Sequence, residues 1–302
     1  QQAFPGRRVM IGETGWPSAG RPRQAASASV VNEARYLREF LRYAATVHMP
    51  YNVIEAFDQP WKRAQEGTAG GYWGIFDAQA RPKFSMQGPV IEEPLWWAGW
   101  LAGLAGAGVF LLAGLWRPRV KGWRGWAALA LAGVASGCAL AWQYRQMWFA
   151  CRDAWEWTVS SLACVLALFT ALRLARSIAA RLAGATLHEP SHRLRASWLF
   201  ALAFYGLLLV FDGRYRDFPL GLFLLPCAGF ALLGWLTHRG ERAKPWLEER
   251  FLAAWLPLLA AIVVVQESGL TPIAWLWLGV NLMLAVPVLV EWRLARLQSQ
   301  QT

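Results

Sequence analysis

Residues 94–116 read PLWWAGWLAGLAGAGVFLLAGLW, a stretch without a charged side chain. A transmembrane helix needs about 20 consecutive, mostly apolar residues to cross about 30 Å of hydrocarbon, and this stretch is long enough. Trp residues stand near both of its ends, and indole rings favour the interface between lipid and water. The stretch therefore predicts a transmembrane helix and indicates the class of fold that follows it.

Further apolar stretches occupy residues 126–143, 155–175, 197–211, 219–237, 251–268 and 272–292. We therefore expect about seven transmembrane helices in a membrane domain over residues 93–302, with 197–211 the shortest of the stretches. The composition agrees, because 16% of the residues are charged, against about 25% in soluble domains. The four Cys residues lie in this part without the spacing of a disulfide framework or a metal site, so no metal or cofactor is predicted.

Lys and Arg residues are distributed unevenly among the segments that connect these stretches. Fifteen lie in or beside the first, third and fifth connections and the C-terminal tail, and four lie in the alternate connections. Loops rich in Lys and Arg stay in the cytoplasm. The tail is therefore predicted to be cytoplasmic and residues 1–92 to be periplasmic or extracellular. The same distribution explains the net charge of +11 without a nucleic-acid partner.

Residues 1–92 mix polar and apolar side chains in the manner of a water-soluble α/β segment. Residues 8–12 and 51–57 are apolar runs typical of strands buried in a parallel sheet. Between them, apolar residues recur at spacings of three and four and predict a helix over 27–47, with Glu33 on its solvated face. A strand, a helix and a strand with short connections indicate a parallel sheet and resemble the last quarter of an α/β barrel.

The sequence IGETGWPSAG at residues 11–20 carries the strongest local signal for chemistry. Glu13 lies at the carboxyl end of the first predicted strand, where α/β barrels keep their catalytic residues. Trp16 follows in a Gly-Trp-Pro turn, and the C–H faces of sugars pack on aromatic rings. On position and composition alone, Glu13 is either a carboxylate that processes carbohydrate or a loop residue that caps the next helix.

A second group of polar and aromatic side chains follows the second predicted strand. Glu55, Asp58 and Lys62 form either a network that orients Glu13 and binds sugar hydroxyls, or a set of surface salt bridges. The candidate stacking platforms for sugar rings are aromatic: Trp16, Trp61, Tyr72 and Trp73. The alternative for these rings is packing at the rim of the barrel.

Both groups resemble glycoside hydrolase family 17, the β-1,3-glucanases and related glucanosyltransferases. Residues 11–20 are similar to the family's nucleophile signature, in which the Glu of E-[ST]-G-W-P-S ends the seventh strand of a (β/α)8 barrel. The segments IEAFDQPWK (54–62), GYWGIFD (71–77) and RPKF (81–84) are similar to the eighth strand and closing segment of bacterial members linked to β-glucan synthesis. The resemblance implies that Glu13 is the nucleophile and that residues 1–92 are the C-terminal portion of the barrel.

The resemblance further implies a retaining mechanism, in which one carboxylate attacks the anomeric carbon and another protonates the leaving oxygen. No segment of the chain resembles the family's acid/base strand, so we expect the chain alone to be inactive. The full-length parent is expected to be a β-glucan hydrolase or transglucosylase of the bacterial inner membrane, with β-glucan and the lipid bilayer as partners. The alternative is a non-catalytic membrane protein that binds glycan or serves as a scaffold for its export.

One predicted outer loop, FDGRYRDFP at residues 211–219, carries two carboxylates and two guanidinium groups. Oppositely charged side chains so close in sequence predict a compact, salt-bridged turn. The alternative is a polar contact with glycan or with the barrel.

Overall fold

The computed structural model describes residues 3–116, 120–184, 192–213, 216–237 and 244–300. The chain divides into two compact units. The first consists of the described residues of 1–94, 149–153 and 214–217, and the second of the described residues of 95–148, 154–213 and 218–302. Several residues of the predicted loops lie outside the described residues: Arg117, Arg119, Arg214, Tyr215, Arg239 and Arg242.

The first unit is built on a strand, a helix and a strand: β1 (Ile11–Thr14), α1 (Val30–Val47) and β2 (Tyr51–Val53). The strands are parallel, and Ile11 and Thr14 lie opposite Tyr51 and Val53. The predicted order of elements is therefore confirmed. Among the described residues the sheet has two strands, so the complete (β/α)8 barrel stays a prediction.

Helix α1 has a polar cap at its start and a left-handed residue at its end. The Ser29 hydroxyl accepts a hydrogen bond of 3.0 Å from the backbone N–H of Asn32, which satisfies one of the free N–H groups of the first turn. The helix ends at His48, whose φ of 48° turns the chain out of the helix. The helix packs through Ala34 and Leu37, which form a small core with Phe84.

Glu33 is buried on this packed side of α1, which corrects the prediction that it faces solvent. Its side chain has no exposed surface, and its Oε2 lies 3.1 Å from Nζ of Lys83. A buried carboxylate is tolerated when a counter-charge lies beside it. Helical periodicity alone could not predict this burial, because the partner that makes it possible, Lys83, lies 50 residues along the chain.

The segment after β2 continues without a regular ladder. A 3-10 helix (Pro60–Lys62) leads into helix α2 (Arg63–Gly70). Phe57 forms a parallel bridge with Phe76, which also bridges Pro82. The predicted strand over 51–57 is therefore a three-residue strand followed by an isolated bridge, because the chain from Glu55 onward pairs with the later 73–76 segment rather than with β1.

The second unit consists of helices, and each predicted apolar stretch is helical. Their bounds are α3 (Trp96–Gly114), α4 (Gly122–Ala150), α5 (Ala154–Leu182), α6 (His192–Phe211), α7 (Leu220–Leu236), α8 (Leu247–Gln266) and α9 (Pro272–Ser299). Large apolar side chains fill the interior, among them Leu199, Phe223, Leu256, Trp277 and Leu284.

Five of these helices, α3, α4, α5, α6 and α9, are long and apolar enough to cross a membrane. Helix α7 is apolar but has 17 residues, and α8 begins with the charged residues Glu248, Glu249 and Arg250. The five helices indicate a membrane protein. Crossing by all seven stays a prediction.

Helices α3 and α4 approach closely through small residues. A Cβ atom on Gly133 would lie 2.6 Å from Cα of Ala107 and 2.6 Å from the carbonyl oxygen of Gly106. A Cβ on Gly137 would overlap the carbonyl of Ala102. Small residues let helix backbones meet in this way in membranes, where apolar side chains gain little by leaving lipid.

Arg195 lies inside helix α6, which corrects its assignment to a basic cytoplasmic loop. Its guanidinium is 2.8 Å from Glu249 of α8 and 2.8 Å from Glu291 of α9. Nδ1 of His192 lies 3.0 Å from the same Glu249. Helix α6 begins at His192, before the predicted apolar stretch, so Arg195 joins three helices as an interior ion pair.

Candidate active site

Glu13 lies on the exposed face of β1. Its neighbour Thr14 is 9% exposed and shares a hydrogen bond with the Tyr36 hydroxyl of α1. Successive side chains of a strand point to opposite faces. Glu13 therefore points away from α1, and its carboxylate is open to solvent in this chain.

The turn after Glu13 is held by backbone contacts. The backbone N–H of Ile54 donates to the carbonyl of Thr14 at 2.9 Å, and that of Ser18 donates to the carbonyl of Tyr72 at 2.8 Å. Gly15 lies so close to the carbonyl of Ile54 that a Cβ would overlap it. The turn after Glu13 is thus anchored at both ends, which keeps the carboxylate in a fixed position.

Lys62 and Glu55 form an ion pair near Glu13. Nζ of Lys62 donates to Oε1 of Glu55, and Oε2 of Glu55 accepts a hydrogen bond of 2.7 Å from Gln59. The hydrogen bond to Glu55 raises the pKa of Lys62, and the negative charges of Glu55, Glu66 and Glu13 raise it further. The structure therefore brings Lys62 and Glu55 together as predicted, within electrostatic reach of Glu13.

Asp58 belongs to a different cluster from Lys62. Its Oδ1 accepts hydrogen bonds from the Gly74 backbone N–H at 2.9 Å and from Nζ of Lys83 at 3.0 Å. Lys83 also donates to the Ser18 hydroxyl at 2.7 Å and pairs with Glu33. Lys83 thus links the turn after Glu13 to Glu33 of α1, and the described contacts place Asp58 in this cluster rather than with Glu55 and Lys62 as predicted.

Burial is the main cause of the pKa shifts of the two carboxyl groups in this cluster. It raises the pKa of Asp58, against the opposing charge of Lys83. It also raises the pKa of Glu33 to about 8. One ammonium thus serves two buried carboxyl groups.

The four candidate stacking rings lie in different environments. Trp61 is 63% exposed, with Nζ of Lys62 5.8 Å from its ring centre. Trp16 donates from Nε1 to the carbonyl of Ser27 at 2.9 Å, and Trp73 is half-buried. Both indoles line a cavity of about 390 Å³ in the first unit.

Tyr72 is engaged in packing. Its hydroxyl donates to the carbonyl of Phe149 at 3.2 Å, and the two rings meet edge to face with centroids 5.3 Å apart. Burial raises the pKa of the phenol. The rim-packing alternative therefore describes Tyr72, while Trp16, Trp61 and Trp73 keep accessible ring surface.

Sequence reasoning missed Lys83 as a positioning residue. Lys83 stands in RPKF, between a proline and a phenylalanine at the end of the resembling region. Its polar character in that apolar setting is the one signal that points to a buried partner, but it identifies neither Glu33 nor Asp58.

Comparison with known proteins finds similarity over about a quarter of the chain. Residues 1–74 match the family described as the BtgE/BtgC glycoside hydrolase domain. A glucan 1,3-beta-glucosidase of Arthroderma benhamiae is 35% identical over 83 residues, which cover 26% of this chain and 27% of that protein. One from Saccharomyces cerevisiae is 32% identical over 78 residues, covering 25% of each.

The chain thus spans about a quarter of the length of these curated relatives. No solved structure matches it. The matched residues include Glu13, the turn after it, and the Glu55–Lys62 pair. The predicted resemblance is confirmed, and residues 1–74 are similar to the glycoside hydrolase domain of the BtgE/BtgC type.

Proposed function

We propose that this chain is part of a membrane-bound β-glucan-processing enzyme in which Glu13 is the catalytic nucleophile. Strands β1 and β2 are the seventh and eighth strands of a (β/α)8 barrel, and residues 1–92 are its C-terminal portion. The observation that carries the proposal is the position of Glu13 at the carboxyl end of β1, pointing away from α1. In a barrel, that face of the strands lines the interior, where the catalytic groups lie.

The reaction follows the double displacement of retaining glycosidases. An oxygen of the Glu13 carboxylate bonds to the anomeric carbon as the bond to the leaving oxygen breaks, and an acid on another strand gives that oxygen its proton. Water or a second glucan then attacks the glycosyl ester, gives its proton to the same residue, and releases Glu13. Water gives hydrolysis, and a sugar hydroxyl gives transglucosylation.

Lys62 and Glu55 have a supporting role in this proposal. The Lys62 ammonium lies within electrostatic reach of Glu13 and can help to orient the carboxylate that attacks. Glu55 and Gln59 hold Lys62 so that its charge stays in place. Trp16, Trp61 and Trp73 offer ring faces to the sugar, as indoles do in carbohydrate sites.

Trapping of the covalent intermediate tests the assignment of Glu13. A 2-fluoro β-1,3-glucoside with a good leaving group slows breakdown of the glycosyl ester more than its formation. In a protein that contains the complete barrel, we expect mass spectrometry to find the sugar on the peptide that carries Glu13. Attachment to a different carboxylate would refute the assignment, and absence of any attachment would favour a glycan-binding protein without catalysis.

The orientation of the chain in the membrane gives another prediction. Under the positive-inside rule, a cysteine at Asp212 lies outside the cytoplasm and one at Lys244 lies inside. Both positions are exposed. In a variant without the four native Cys residues, we expect a membrane-impermeant maleimide to label position 212 in intact spheroplasts, and position 244 only after permeabilisation. Labelling of position 244 from outside would overturn the proposed orientation.

A further inference from the structure

The cavity beside the turn after Glu13 is lined in part by residues from the chain between α6 and α7. Arg216 and Asp217 lie in the first unit and line the cavity with Trp16, Trp73 and Glu66. The cavity has a volume of about 390 Å³. Gly15, two residues after Glu13, also lines it.

Arg216 and Asp217 are both held within the protein. Arg216 is 2% exposed, whereas most arginines in proteins are largely exposed. Asp217 accepts a hydrogen bond of 2.6 Å from the Thr68 hydroxyl, and Thr68 lines the same cavity. Two charged side chains are thus fixed at the wall of one cavity, which lowers the entropic cost of ordering them around a ligand.

The chemistry of the lining selects a class of ligand. Guanidinium groups donate hydrogen bonds and carboxylates accept them. Arg216 can therefore donate to a hydroxyl group, and Asp217 and Glu66 can accept from one. The indoles of Trp16 and Trp73 offer flat apolar faces for C–H groups. Arg21 and Arg23 add two further guanidinium groups to the lining. A polyhydroxyl ring can form hydrogen bonds with both kinds of charged group through its hydroxyls and pack its C–H faces on the indoles.

We propose that Arg216 and Asp217 bind sugar hydroxyls in a glucan subsite that continues from the nucleophile region. This inference rests on the proposed function and adds two residues that lie outside the segment matched by the hydrolase family. A loop between two apolar helices thereby contributes to substrate recognition.

Binding of a β-1,3-linked glucose hexamer to the detergent-solubilised 302-residue chain tests the subsite. We expect the wild-type chain to bind the hexamer, measured by calorimetry or by saturation-transfer NMR. Hydrogen bonds to charged groups are among the stronger ones in proteins, so Arg216→Met should weaken binding about tenfold or more. Asp217→Asn, which keeps the size of the side chain, should weaken it about threefold or more.

Matched controls use exposed residues with the same charges. Arg8→Met and Asp212→Asn alter side chains that are exposed and do not line the cavity, and they should leave the affinity within twofold of wild type. Equal binding by wild type and Arg216→Met would overturn the subsite, as would failure of the wild-type chain to bind the hexamer. If Arg216→Met lowers the melting temperature, the affinity of Arg216→Lys, which keeps the positive charge, is measured instead. A folded Lys variant with wild-type affinity refutes a specific guanidinium contact, and one with reduced affinity supports it.

These outcomes are separable from those for Glu13. Trapping of the covalent intermediate tests Glu13, whereas the hexamer affinities of the Arg216 and Asp217 variants test the subsite. Loss of the subsite with intact trapping at Glu13 would leave the proposed reaction standing. Binding that depends on Arg216, together with trapping at another carboxylate, would leave a glucan subsite beside a different nucleophile.

Discussion

Glu13→Gln should reduce glucan cleavage or transfer by a factor on the order of 10³ or more in a protein that contains the complete barrel. Gln has the shape of Glu but cannot form the glycosyl ester, so the loss should appear in kcat rather than in substrate affinity. Glu13 is exposed in the first unit, and Gln keeps the size and shape of its side chain. The melting temperature of the variant should therefore match that of the wild type, and steady-state kinetics with a β-1,3-glucan measure the effect.

Two comparisons distinguish loss of a nucleophile from a general disturbance. Azide added to Glu13→Ala should restore part of the activity and give a glycosyl azide of inverted configuration, because azide attacks in a single displacement from the vacated side. Glu39→Gln is the matched control, since Glu39 is an exposed α1 carboxylate paired with Arg35 at 3.0 Å. Substantial turnover by Glu13→Gln on a weakly activated substrate would show that another group is the nucleophile.

The order of elements in the first unit was predictable because local signals agree with one another. Apolar runs, helical spacing and short connections all indicate β-α-β, and β1, α1 and β2 follow that order. The bounds of the strands were less predictable. Strand β1 begins at Ile11 rather than at residue 8 and includes Glu13, because strand length depends on the partner strand, which the local sequence does not specify.

The pairing of polar residues in the site was likewise predictable only where the partners are close in sequence. Glu55 and Lys62 are seven residues apart and their pairing was predictable from proximity in sequence. The pairing of Lys83 with Glu33 and Asp58 joins residues 50 and 25 positions apart. Nothing in a local pattern distinguishes a polar residue with a buried partner from one that faces water, so Glu33 was assigned to the solvated face of α1 and Asp58 was grouped with Glu55 and Lys62.

The helices of the second unit were predictable in number, and their charged ends were not. An apolar stretch marks the part of a helix that suits lipid, whereas the helix continues as long as its backbone and packing allow. Helix α6 includes His192 and Arg195 before its apolar stretch, and the ion pairs of Arg195 with Glu249 and Glu291 lie in this extension. Counting basic residues in loops therefore overstates the number that are free to set orientation.

Lys83→Met should destabilise the first unit by about 3–5 kcal/mol, the usual cost of leaving a buried charge without its partner. Lys83 is 10% exposed and lies 3.0 Å from Asp58 and 3.1 Å from Glu33. Its removal also takes away the hydrogen bond to Ser18, which holds the turn after Glu13. Hydrogen exchange of peptides from β1 and α1, in the detergent-solubilised chain, measures the free energy of opening.

The loss of stability in Lys83→Met should depend on pH, because the carboxyl groups of Glu33 and Asp58 titrate. Burial already raises the pKa of Glu33 to about 8 from its ordinary value of 4.5. The folded chain therefore holds a proton that the unfolded chain releases between those values, and the free energy of unfolding falls as the pH rises through this window. Without the ammonium, the pKa of both Glu33 and Asp58 rises further.

Lys83→Met should consequently be most damaging at pH 9 and least damaging near pH 5, where protonated carboxyl groups need no counter-charge. Lys62→Met is the matched control, because its ion pair with Glu55 is partly exposed, at 22% and 15% for the two side chains. Such pairs contribute about 0–1 kcal/mol, so the control should change the exchange little at either pH. A similar loss for both Lys variants, or a larger loss for Lys83→Met at pH 5 than at pH 9, would contradict the role of Lys83 as the counter-charge that holds the nucleophile turn against α1.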